Sequence, residues 1–136
     1  MASALGWEEL CQLLRSGASA PVASRYRALF SASRSAPSRS AAAALLEEVL
    51  ERQTDSVLLR HEAAYVLGQL GSTDAVPFLR ALLLDDEEHE VVRHEAAEAL
   101  AALKAGGREL REVQETTESR PLRQTCELAL AGELAN

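Results

Sequence analysis

The stretch VLLRHEAAYVLGQLGS, residues 57–72, decides the architecture because much of it returns as EVVRHEAAEALAALKA, residues 90–105. Arg60-His61-Glu62-Ala63-Ala64 becomes Arg93-His94-Glu95-Ala96-Ala97, 33 residues later. Alignment on arginine then brings in SRYRALFSA at Arg27 and PLRQTCELALAGE at Arg123, so the four arginines are spaced by 33, 33 and 30 residues. Second helical segments are expected between the phrases, at Ser40–Arg52, Thr73–Leu84 and Gly107–Glu115. Breakers separate them: Ala36-Pro37-Ser38, Gly71-Ser72-Thr73 and Gly106-Gly107. A short helix over Trp7–Arg15 is expected to cap the N-terminal end.

Each unit reads as a helix–turn–helix that cannot bury its apolar face alone. Stacked neighbours can, which is the logic of an α-solenoid. The expected fold is therefore all-α, a single domain over residues 1–136 built from about four repeats. The phrase R-x-x-A-A-x-x-L and the short period resemble HEAT-like repeats. Ser31–Ser40, rich in Ser, Ala and Arg, is expected to be a flexible connection. Asp85–Glu90 is expected to be a solvated acidic link.

Composition agrees with this reading. The chain is 47% hydrophobic but only 4% aromatic. Alanine and leucine dominate, and no long alternating run reads as a strand. The formal charge of −7 argues against a nucleic-acid partner, since phosphate binding needs a basic face. No stretch approaches the roughly 18 apolar residues of a membrane span. Cys11 and Cys126 form no CxxC and fall on apolar helical positions, which fits buried free thiols in a reducing, cytoplasmic compartment.

Helical geometry separates the two histidines from the core. At about 100° per residue, Leu59, Ala63, Val66, Leu67 and Leu70 form one stripe, with His61 opposite, beside Tyr65 and Gly68. Val92, Ala96, Ala99, Leu100 and Leu103 repeat the stripe, with His94 opposite. Glu62 and Glu95 fall near the edge of the buried face, where each would also complement its helix dipole. The aligned positions are Ala28-Leu29 in the first unit and Gln124-Thr125 in the fourth, so the solenoid itself does not require His-Glu. Adjacent helices in a stack lie about 8–10 Å apart, close enough for the two His-Glu pairs to converge. Such a donor set suits non-haem iron, manganese or zinc. Internal duplication without a task is the competing explanation.

The third pair, His89-Glu90, does not share this register. HEVVRH also places its second histidine at i+5 rather than at the i+4 of a zinc-protease helix. His89 is therefore expected on the surface. No nucleophile–base arrangement and no glycine-rich phosphate loop is present, so no catalytic residue is expected beyond the metal site.

The run Leu59–Gln69, then Ala75-Val76-Pro77, then Val92–Leu100 closely resembles the deoxyhypusine hydroxylase family. Arg25–Phe30 and Thr125–Leu130 do so as well, and the likeness extends over about residues 21–131. The resemblance implies an iron-dependent monooxygenase that uses dioxygen to hydroxylate deoxyhypusine in a translation factor. It implies His61, Glu62, His94 and Glu95 as the metal site, with Glu62 also receiving the substrate's amino groups. The family carries two such halves and four His-Glu pairs. The chain carries one half, which reads as the N-terminal half or a short form. Two irons in the complete site would then require a homodimer or a second half. A non-catalytic HEAT-repeat interaction scaffold is the alternative function.

Overall fold

The computed structural model describes residues 5–52 and 55–133. Among them are eight α-helices and no strand: α1 (Trp7–Arg15), α2 (Val22–Ser35), α3 (Arg39–Glu51), α4 (Val57–Gln69), α5 (Val76–Leu84), α6 (Glu90–Ala102), α7 (Gly107–Thr116) and α8 (Arg120–Leu130). The all-α solenoid expected from the repeats is the observed fold. The helix limits follow local chemistry. Ser38, Ser56 and Ser119 each precede a helix and accept a backbone N–H from its first turn, satisfying a donor that the helix leaves unpaired. His89 does the same for α6 through its Nδ1; its ring is exposed, as expected.

The helices alternate between two layers. α2, α4, α6 and α8 form one layer, in which α2 packs on α4, α4 on α6 and α6 on α8. The other layer supplies a partner to each: α1 packs on α2, α3 on α4, α5 on α6 and α7 on α8. A structural pair is thus an outer helix followed by the helix that carries the arginine phrase. Leu10, Leu14, Leu29, Leu46, Leu59, Leu67, Leu79, Leu83 and Leu100 fill the seam between the layers, all essentially inaccessible to solvent.

The phrase arginine ties each pair together. Arg60 donates to the carbonyl of Leu50 near the end of α3, and Arg93 to that of Leu83 near the end of α5. Arg123 donates to the carbonyl of Thr117, just beyond α7. These last carbonyls have no partner within their own helices. In the first pair the buried arginine is Arg25, which donates to the carbonyl of Ala20, just before α2, and to Asp55, while the carbonyl of Leu14 near the end of α1 accepts from Arg52. Arg27, the residue aligned from sequence, is exposed. The register therefore shifts by two residues, and the positions matching His-Glu in the first repeat are Tyr26-Arg27 rather than Ala28-Leu29. The physical reason is burial: Ala28 and Leu29 are core residues and match Ala63 and Ala64.

Two connections also differ from expectation. Helix α2 continues through Ser35 and α3 starts at Arg39, so the Ser/Arg-rich segment is mostly helical. The acidic link is not all solvated. Glu88 is 6% exposed, and both of its carboxylate oxygens accept from Arg60, which is 1% exposed. Burial pushes the Glu88 carboxyl up, but hydrogen bonds from Arg60 and from the His89 backbone, with the guanidinium charge, outweigh it. The net effect holds Glu88 below the usual carboxylate range.

Candidate metal centre between two repeats

Helices α4 and α6 approach unusually closely beside the His-Glu pairs. A Cβ built on Gly68 would lie 2.8 Å from the Ala99 Cβ, well inside ordinary contact. Only hydrogen at position 68 lets the two helices meet there. Next to this contact runs a cleft of about 160 Å³, lined by Tyr65, Gly68, Glu95, Glu98 and Ala99, with other residues. The face of α4 opposite the core stripe thus abuts the next phrase helix.

The packing joins one repeat to the next with an offset. His61 Nε2 lies 2.9 Å from Glu95 Oε1, so the histidine of the second repeat meets the glutamate of the third. His94 repeats the step, with its Nδ1 2.6 Å from Thr125 Oγ1, and Thr125 holds the matching position in the fourth repeat. Within repeats, His61 Nδ1 lies 3.4 Å from Glu62 Oε1. It has no hydrogen-bond partner. His94 Nε2 lies 3.2 Å from Glu98 Oε1, one helical turn on.

All four residues expected from sequence therefore lie in one run of contacts, but they do not converge on one point. The compact group among the described residues is His94, Glu95 and Glu98, whose ligand-type atoms all lie within 4.8 Å of one another. His61 and Glu62 join it through Glu95. Glu95 is the most buried carboxylate of this group, at 7% exposed. Burial raises its carboxyl above the ordinary value, the Glu98 charge adds to this, and the two histidines offset part of it. Glu98 escaped the sequence reading, although its signal was available: it stands at i+4 from His94, the spacing that puts two side chains on one helical face.

The donor set fits a cation. The Thr125 hydroxyl donates to the carbonyl of Pro121 at 3.0 Å. Its oxygen also lies 2.6 Å from His94 Nδ1, a contact that either tautomer of the ring can make. This turns Nε2 towards the Glu98 carboxylate, 3.2 Å away. A proton or a metal ion can sit between that nitrogen and that oxygen. Imidazole nitrogen with two carboxylates is a mixed set that suits first-row transition metals.

The HEAT-repeat family matches residues 7–101 and again 42–131. The chain belongs to the HEAT-repeat family. Within that family it resembles deoxyhypusine hydroxylases. It is 41% identical to the deoxyhypusine hydroxylase of Arabidopsis thaliana over 114 residues, which are 82% of this chain and 35% of that protein. It is 41% identical to the Saccharomyces cerevisiae deoxyhypusine hydroxylase over 119 residues, 80% of this chain and 36% of that protein. The structure of human deoxyhypusine hydroxylase in complex with glycerol superposes with a TM-score of 0.81 at 36% identity. It covers 99% of this chain and 46% of that chain. These four HEAT-type pairs therefore span a little over a third of the length of the curated relatives that they match. No helix among the described residues is long and apolar enough to cross a membrane.

Proposed function

We propose that the chain provides one half of a deoxyhypusine monooxygenase site, with His61, Glu62, His94 and Glu95 as the iron-binding residues. The observation that supports this most is His94 Nε2, held 3.2 Å from Glu98 and beside the buried Glu95. Iron(II) bound there would supply the activation of dioxygen. The chain's own residues set the conditions. His94 offers an imidazole nitrogen, Glu95 and Glu98 offer carboxylate oxygens, and the tight α4–α6 contact keeps bulk water from Glu95. Glu62 is less enclosed than Glu95, with 17% of its side chain exposed. Its proposed role is to receive an ammonium group of a polyamine-extended lysine in the translation factor, and its partial exposure is compatible with that role.

A site of two irons would be completed by a second copy of this chain or by a companion half. Cys11 and Cys126 are both free and buried, which suits the reducing cytoplasm. Burial pushes the Cys126 thiol up to about 11, so it is an inert core residue.

The deciding experiment incubates the purified chain with iron(II), oxygen and the deoxyhypusine-bearing factor, and follows addition of one oxygen atom by mass spectrometry. Iron per chain is measured in parallel for H61A and H94A. Loss of iron in H94A and weakened uptake in H61A are expected. Iron content unchanged in both variants would sink the assignment.

A further inference from the structure

We infer that Thr125 is a positioning residue that fixes the tautomer and ring orientation of His94, so that Nε2, and not Nδ1, faces the metal. The inference rests on the metal reading above and concerns a residue outside the proposed ligand set. Thr125 is 5% exposed and lies on α8, one repeat beyond His94. Its hydroxyl lies 3.0 Å from the Pro121 carbonyl, which can only accept, one turn back on its own helix. A threonine hydroxyl bonded in this way keeps its oxygen lone pairs for other donors. The ring nitrogen the structure places there is His94 Nδ1, at 2.6 Å. The chain of bonds runs from imidazole N–H to threonine oxygen, then from threonine O–H to a helix carbonyl. Run in this direction, the chain leaves Nε2 unprotonated.

Metal-binding histidines are commonly oriented by such a bond to the ring nitrogen that does not bind the metal. The repeat makes the assignment specific. Glu95 meets His61 from the equivalent position, and a glutamate at 125 would bring a further negative charge against His94. Threonine accepts the same hydrogen bond without adding charge. It therefore holds the ring aimed without adding charge beside it.

The test compares Thr125→Val, which keeps the shape but removes the hydroxyl, with Thr125→Ser, which keeps the hydroxyl. Nitrogen chemical shifts of the His94 ring in the metal-free protein report the tautomer. Titration with cobalt(II), a spectroscopically visible stand-in for iron(II), reports affinity. The unsubstituted protein and Thr125→Ser are expected to show the Nδ1–H form. Thr125→Val is expected to lose it and to bind cobalt roughly 10–100-fold more weakly, with an unchanged helical circular dichroism spectrum. The Nδ1–H form persisting in Thr125→Val, or cobalt affinity within twofold of the parent, overturns the inference. A parent protein that takes up no cobalt overturns the metal reading and the metal clause of this inference together. The metal-free spectrum then still decides whether Thr125 sets the tautomer.

Discussion

Helices α4 and α6 carry the same five residues, Arg-His-Glu-Ala-Ala, and use them differently. On α4, Arg60 is wholly buried and clasps Glu88 with both terminal nitrogens. On α6, Arg93 keeps the helix-end carbonyl bond, but its nearest acid, Asp86, lies 3.8 Å away with its side chain almost fully exposed. The histidines differ as well. His61 turns Nε2 to Glu95 and leaves Nδ1 beside Glu62 without a hydrogen bond, whereas His94 turns Nδ1 to Thr125 and Nε2 to Glu98. Identical phrases have acquired different chemistry because each is completed by the repeat that follows, and the following repeats are not alike.

The sharpest way to break this comparison is to remove each arginine in turn. Arg60→Ala leaves the Glu88 carboxylate buried and unpaired and is expected to cost about 3–5 kcal/mol. Arg93→Ala loses one hydrogen bond to a carbonyl and is expected to cost about 1 kcal/mol. Urea denaturation of the two variants measures the difference, and equal losses would refute the asymmetry.

Gly68→Ala probes the helix contact itself. The added methyl must push α4 from α6, an overpacking expected to cost about 1–3 kcal/mol. It should also lengthen the His61–Glu95 contact, since those residues flank the same seam. A thermal melt and the iron content of the variant check both effects.

The Arg60–Glu88 pair also predicts a pH dependence. The Glu88 carboxyl is held below its ordinary value of 4.5. The folded state therefore binds this proton less readily than the unfolded chain. The stabilisation is fully present above the unfolded value and is lost as pH falls through the lower folded value. Glu88→Gln is expected to flatten stability against pH in that acid window, as followed by denaturation at a series of pH values. A profile as steep as the parent's would show that another carboxylate controls it.

The smallest expected effect lies at the helix starts. Ser56→Ala removes the hydroxyl that caps α4 and should cost about 1 kcal/mol. His89→Ala removes a weaker ring-nitrogen cap from α6 and should cost less. Chemical denaturation of the two variants ranks the caps, and a larger loss at His89 would reverse the ranking.

The positions of the helices were legible because alanine and leucine recur with helical period between clear breakers. The observed limits of α1, α4 and α6 follow that pattern closely. The partners were not legible where they depend on distance along the chain. Glu88 sits in a run of acids that reads as surface, and only the fold brings Arg60 to it from 28 residues away. Arg25 and Arg27 look equivalent in sequence, and burial in the seam alone distinguishes them. The candidate site was legible in its His-Glu pairs. Its third close carboxylate, Glu98, required only the helical i+4 rule. The role of Thr125 required the offset between repeats, which no spacing within one helix reveals.

That offset gives the stack a polarity. The histidine positions of the second and third repeats reach forward to the glutamate position of the next, so a His-Glu phrase written twice makes one histidine–glutamate link between repeats, not two. Glu62 has Tyr26 at the matching histidine position of the repeat before it, and His94 has Thr125 at the matching glutamate position of the repeat after it. Copying a symmetric phrase along a one-way ladder thus produces an asymmetric centre, with a histidine clasped at one rung and a histidine left open at the next.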